Sequence, residues 1–186
     1  SFYTNKWIQT KGLEEERKAQ KSLYSSVLIS IPIKNTSNTS LIFFQNKLLS
    51  LWEWSYPYDI DIRNLATYGE FHFANTLLDS FTAHPRYDFK AGKYYFFSHT
   101  IDKNSKLKIG LISDDLKLSY RMNHELNRAN SSIHDLAITE NFLVFFDLPL
   151  LTHGGRISWE PDKGGKIILF DKKFEKSPID FAIQSC

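Results

Sequence analysis

Apolar runs and polar clusters trade places at short, even intervals over most of this chain. "SLIFFQNKLLSLWEW" (Ser40–Trp54) reads as two strands joined at Gln45-Asn46-Lys47. In "YDFKAGKYYFFSHT" a glycine-containing turn precedes a strand over Tyr94–Thr100. "KLKIGLIS", "LKLSYRMN", "SIHDLAI", "NFLVFF", "GRISWE" and "KIILFD" follow, separated by turns rich in Asp, Asn or Gly. "EPDKGGK" (Glu160–Lys166) has the composition of a hairpin turn, and "NTSNTS" (Asn35–Ser40) that of a polar loop. Only "GLEEERKAQKSL" (Gly12–Leu23) reads as a helix, with Glu early and Lys late, as the helix dipole favours. Strands at this spacing predict an all-β protein: a barrel, a sandwich or a propeller. Periodicity does not choose among them.

One run carries an anomaly. In "SSIHDLAITENFLVFFDLPL" (Ser131–Leu150) His134 stands inside an apolar stretch that turns once at Thr139-Glu140-Asn141. Strand alternation puts His134, Leu136 and Ile138 on one face and Ile133, Asp135 and Ala137 on the other. An imidazole then points to the inner side of a hairpin, and Asp135, although adjacent, is badly placed to orient it.

Composition narrows the function classes. The 186 residues fit a single domain, and their 42% hydrophobic and 24% charged content is that of an ordinary globular protein. An aromatic share of 15% is high, and suits β-structure with a broad apolar ligand surface. Net charge is only +2, with 23 basic and 21 acidic residues spread evenly, so no basic stripe offers itself to nucleic acid. The single cysteine, Cys186, has no internal disulfide partner, which fits a reducing compartment. The longest apolar run, Phe142–Leu151, is interrupted by Asp147 and Pro149 and is too short for a membrane span. The chain starts at Ser1 with no signal-peptide pattern and reads as beginning inside something longer.

Six histidines, at 72, 84, 99, 124, 134 and 153, are the available metal ligands. Their separations form no local motif, and one cysteine excludes a thiolate site, so a metal would have to gather imidazoles from separate strands. His84, in "FTAHPR", is held extended by Pro85. Glu53, in "LSLWEWS", lies between Trp52 and Trp54 in an apolar strand. Two readings stand for it. Buried, it needs a partner, and a ligand imidazole donating its second N–H would serve; alternatively it faces solvent while the tryptophans pack inward.

These same segments carry a family resemblance. "NTSLIFFQNKLLSLWEWSYPYDID", "FTAHPRYDFKAGKYYFFS", "SIHDLAITENFLVFFDLPL" and "ISWEPDKGGKIILF" are together similar to the carotenoid cleavage oxygenases. The opening "NKWIQTKGLEEERKAQKSLY" also resembles that family's early region, so the likeness runs in order over nearly the whole chain. Its most specific parts are Ala-His-Pro and Ile-His-Asp…Ile-Thr-Glu-Asn. The resemblance implies a seven-bladed β-propeller with Fe2+ on its axis, held by four histidines from different blades. His84 matches the first ligand, His134 the second, and Glu53 a carboxylate that hydrogen-bonds a ligand histidine from behind. The implied reaction is O2-dependent scission of one C=C bond of a carotenoid or apocarotenoid to two carbonyl products. An aromatic-lined tunnel would select the bond by position.

The later two ligand histidines of the family have no counterpart here, and His153 in "LLTHGGRI" matches neither context. Residues 1–186 are therefore expected to be roughly the first half of one propeller domain, inactive by itself. Two other readings remain open at this stage. One keeps the fold and changes the substrate to a stilbenoid or a retinoid; the other is a non-catalytic remnant that binds an apolar ligand or a protein. A cytoplasmic or plastid setting with peripheral membrane contact would suit a lipid-borne substrate, although no amphipathic anchor stands out.

Overall fold

The computed structural model describes residues 3–24, 34–126, 128–153 and 156–184; Cys186 lies outside them. A nine-residue helix, α1 (Lys11–Ala19), is capped by the Thr10 hydroxyl, which accepts from the Leu13 amide at 3.2 Å. It stops short of the expected Leu23 because Gln20 turns left-handed (φ 52°). The Glu16 carboxylate then accepts from the Leu23 amide and the Ser22 hydroxyl, drawing the chain away from the helix axis.

Four strands follow as one antiparallel meander: β1 (Ser40–Phe44), β2 (Lys47–Leu51), β3 (Tyr58–Ile60) and β4 (Thr67–Glu70). Gln45 and Asn46 close its first hairpin with both φ values positive, the two-residue turn whose twist matches that of paired strands. A second meander of four comprises β5 (Arg86–Asp88), β6 (Lys93–His99), β7 (Lys106–Ile112) and β8 (Leu118–Glu125). The third sheet is built differently. Its order is β14 (Ile179–Ile183), β13 (Gly165–Asp171), β10 (Phe142–Asp147), β9 (Leu136–Ile138). Between β10 and β13 the chain leaves to form a separate hairpin, β11 (Leu150–His153) with β12 (Arg156–Trp159).

That excursion corrects one expectation. Glu160–Lys166 is not a hairpin turn: β12 pairs with β11 and β13 pairs with β10, so the segment passes between two sheets. It is a single 3-10 turn over Pro161–Lys163, anchored where Glu160 N–H donates to Pro149 O and Arg128 donates to Gly164 O at 2.8 Å. Turn-forming residues were present, but tertiary hydrogen bonds decided what they joined.

Three consecutive four-stranded sheets are the blades of an open propeller, and β6 shows how they pack. Alternate side chains of this strand enter two different cores. Tyr95 and Phe97 join Leu107, Ile109, Leu136, Leu143, Phe145 and Phe170 between the second and third sheets. Phe96 joins Leu49, Leu51, Phe73, Phe81, Ile112 and Leu118 between the first and second. The middle sheet is thus apolar on both faces, which accounts for the run "YYFF". Phe81 stacks on Phe96 at 5.5 Å and Phe97 meets Phe145 edge-on at 5.3 Å, so one strand pins three blades in register.

The ladder bulges between Ile109 and Gly110, where a Cβ on Gly110 would lie 2.5 Å from Ser119 O and 2.7 Å from the Phe96 ring. Backbone oxygen cannot yield to that contact. Gly110→Ala is therefore expected to lower stability by about 1–3 kcal/mol, the usual cost of overpacking, read as a shift in denaturant midpoint. An unchanged midpoint would show that β7 and β8 are not so closely apposed.

Candidate metal centre

Three side chains from three sheets meet at one point. One carboxylate oxygen of Glu53 and one ring nitrogen each of His84 and His134 all lie within 4.8 Å of one another. The two imidazole centroids are 4.7 Å apart, edge to face. His134 Nδ1 is 2.7 Å from Glu53 Oε1, and His84 Nε2 is 3.9 Å from the same oxygen. Thr39 donates its hydroxyl to the other carboxylate oxygen at 3.4 Å.

The local backbone explains how each group arrives. β2 ends at Leu51, so Glu53 lies in a turn and not inside a strand as expected. The chain reverses at Trp54, whose φ of +68° is a left-handed conformation that costs a bulky residue about 1–3 kcal/mol. Ser55 then bridges to Phe81, bringing the first sheet against the segment that leads to His84. Glu53 is 8% exposed, so it does not face solvent, while Trp52 and Trp54 are half-buried and meet edge-on at 5.8 Å.

His134 requires a correction as well. Strand β9 begins only at Leu136, and alternation does not extend back to residue 134. The side chain of His134 is 64% exposed, while its neighbour Ile133 is fully buried. The imidazole therefore does not replace a core valine; it stands on the open side of the blade, against Glu53. Asp135 leaves it alone, as anticipated, and caps the Leu136 amide at 2.7 Å while pairing with Arg86.

Arg86 is the connection that sequence reasoning missed. Its Nε donates to Leu136 O at 2.9 Å and its Nη2 to the Asp135 carboxylate. It lies two residues after His84, and its partners are the two residues after His134. One guanidinium thereby sets the separation of the two histidines, and its planar fork suits a double contact of this kind. The signal in the sequence was the charge complementarity of "HPR" and "HD", which no spacing rule could join.

The donor set fits a metal ion. His84 Nε2 is buried with no hydrogen-bond partner among the described residues, and Glu53 Oε1, also buried, faces it across 3.9 Å with His134 Nδ1 as its close contact; acceptor-type atoms so placed ask for a cation or a proton. The carboxylate stands beside Nδ1 of His134, which leaves Nε2 of that ring free as the ligand atom. Glu53 itself is a poor direct ligand alongside His134. Two atoms bonded to one ion at about 2.1 Å and at right angles are about 3 Å apart, and 2.7 Å is a hydrogen-bond separation. His72, His124 and His153 take no part. His72 packs tilted against Tyr56, His124 meets Phe170 edge-on, and His153 Nε2 contacts Glu160 Oε1.

His99 lies behind the centre. It closes β6, with its ring 6.1 Å from Phe97 and 6.3 Å from Trp54, and its Nε2 accepts the Trp54 indole N–H at 3.2 Å. Burial, with His134 as a lesser cause, pushes its pKa down to about 4.

The comparisons with known proteins follow the same residues. The family model described as retinal pigment epithelial membrane protein matches residues 1–186. The apocarotenoid-15,15'-oxygenase of Synechocystis is 31% identical over 90% of this chain and 40% of its own length. The isoeugenol monooxygenase of Pseudomonas nitroreducens is 26% identical over 95% of this chain and 41% of its own. Cobalt-substituted Synechocystis apocarotenoid oxygenase superposes with a TM-score of 0.81 at 26% identity, covering 97% of this chain and 44% of that one. The chain thus spans about two-fifths of the length of these two relatives.

The state of His99 has a pH consequence. Unfolded, it titrates near 6.5; folded, near 4, so its contribution is complete above pH 6.5 and is lost as pH falls towards 4. Between pH 7.5 and 4.5 the unsubstituted protein is expected to lose about 2–3 kcal/mol more stability than His99→Phe. Denaturant titrations at the two pH values measure this, and equal losses would mean that His99 is not held neutral.

Proposed function

The chain belongs to the retinal pigment epithelial membrane protein family, which includes the carotenoid oxygenases, and on that premise we propose that it is the first part of a non-haem Fe2+-dependent dioxygenase cleaving a C=C bond of a carotenoid or apocarotenoid. The observation that carries this reading is the convergence of His84 and His134 on one point with the Glu53 carboxylate between them. Relatives acting on apocarotenoids and carotenoids supply the substrate class.

In this reading Nε2 of His84 and Nε2 of His134 hold the ion, and Glu53 remains behind them. Neutral imidazoles suit a divalent iron ion and add no charge of their own. A carboxylate touching Nδ1 holds that proton in place, makes the ring a better donor and offsets part of the cationic charge without occupying a coordination position. Bound Fe2+ would supply activation of O2, the two oxygen atoms ending as the carbonyl oxygens of the two products. Thr39, from its contact with the far carboxylate oxygen, limits rotation of Glu53. Two imidazoles hold a metal weakly, so the remaining ligands are expected from outside these residues and the isolated chain is expected to be inactive.

Similarity to isoeugenol monooxygenase favours a second substrate, a phenylpropenoid or stilbenoid C=C bond, with the same centre. Nothing in the two histidines or Glu53 discriminates a long polyene from a short styrene-like one, since each needs only one double bond near the ion.

The test uses the full-length protein loaded anaerobically with Fe2+, then given O2 and an apocarotenoid or, in parallel, isoeugenol. Aldehyde products are resolved by chromatography. His84→Ala and His134→Ala are each expected to abolish iron retention and turnover, and Glu53→Gln to weaken metal affinity about 10–100-fold. Iron content and activity unaffected by both histidine substitutions would refute the reading and leave a non-catalytic propeller that binds an apolar ligand or protein.

A further inference from the structure

Trp54 presents a problem that the proposed centre does not explain. A large aromatic residue occupies a left-handed backbone conformation (φ +68°) directly after the carboxylate on which the site depends. Such conformations persist where surrounding contacts over-determine them. Three contacts do so here: the edge-on packing against Trp52, the Ser55–Phe81 bridge, and the indole N–H donated to His99 Nε2. Only the last is a directional bond made by the Trp54 side chain, and its acceptor comes from a different sheet. His99 is 7% exposed and ends β6, in the second of the three sheets; Glu53 follows a strand of the first, and His134 precedes a strand of the third.

We propose that His99 is a positioning residue for the metal centre: its Nε2 holds the Trp54 indole, and with it the left-handed turn that carries Glu53 against His84 and His134. This rests on the reading of those three residues as a metal site. The chemistry is directional. An acceptor at Nε2 places the ring proton on Nδ1, so His99 serves Trp54 only as the neutral Nδ1–H tautomer. Depressed basicity in an aromatic enclosure keeps that form over the ordinary pH range. Without the tether, Trp54 is free to relax toward negative φ, which rotates the preceding peptide and withdraws the carboxylate from Nδ1 of His134.

The experiment is Co2+ titration of the metal-free full-length protein, followed by absorbance, with thermal unfolding as a check on folding. His99→Phe, which keeps the ring and removes the acceptor, is expected to weaken Co2+ affinity roughly tenfold, in the range known for groups that orient metal ligands. His99→Gln, which restores an acceptor, is expected to recover most of that loss. Trp54→Phe removes the donor and should match His99→Phe, with the double variant no weaker than either alone. In a Trp54→Gly background, where glycine takes positive φ without a tether, His99→Phe should change affinity less than twofold. Equal tenfold losses with and without Trp54→Gly would overturn the proposal, as would wild-type affinity in His99→Phe. Should His99→Phe not fold, Trp54→Phe against Trp54→Gly decides the matter: a tenfold loss in the first with near-wild-type affinity in the second supports the proposal, and equal losses in both overturn it. Failure of the unsubstituted protein to bind Co2+ would instead refute the metal site itself.

Discussion

The contact on which the site depends is the grip of Arg86 on the opening of the third sheet. His84 lies on the approach to β5 and His134 on the approach to β9, and neither is inside a strand whose ladder would fix it. What fixes them is a guanidinium bonded to both Leu136 O and the Asp135 carboxylate. The apolar core between the second and third sheets determines that these segments are neighbours, to within the slack of a packed interface. The hydrogen bonds remove that slack over the last few ångströms, where a pair of imidazoles either shares an ion or does not.

Much of the architecture was legible in the sequence because β-structure writes itself in local patterns. The hairpin at Gln45-Asn46, the strand "KYYFFSH" and the turn at Thr139-Glu140-Asn141 all follow from composition and alternation. The burial of His99 was not read from the sequence: β6 is buried on both parities, so alternation carried no signal for it. What failed was the extension of alternation beyond the strand ends. Glu53 and His134 each lie two residues outside a strand, where side-chain direction is set by turn geometry and tertiary contacts. The sequence therefore named both residues and misdescribed how each is presented. Arg86, and the pairing of Trp54 with His99, depend on contacts between residues 45 to 50 positions apart, which no local pattern carries.

Electrostatics accounts for the mixture of exposed and buried groups at the centre. A carboxylate in a pocket with little water is costly unless something positive or proton-bearing faces it. Glu53 has Thr39 on one oxygen and two imidazoles within 4 Å of the other, an environment that tolerates the charge and gains from a cation. His99, buried against Phe97 and Trp54 with no carboxylate acting on it, stays neutral. Two histidines of identical chemistry are thus separated in role by one layer of packing: one able to share a cation, the other reduced to an acceptor for an indole.

The detour of the chain through β11 and β12 bears on the order in which these parts can form. The first two sheets close by successive hairpins, each strand pairing with the one just made. In the third, β10 pairs β9 by a local hairpin, but its other edge pairs β13, which joins Phe142 to Asp171 after the chain has passed through β11 and β12. The blade beside His134 thus depends on a pairing of longer sequence range than the hairpins of the other two, the kind whose closure is slower. The length of that closure is set by β11 and β12, a stretch of chain that contributes no atom to the cluster of Glu53, His84 and His134.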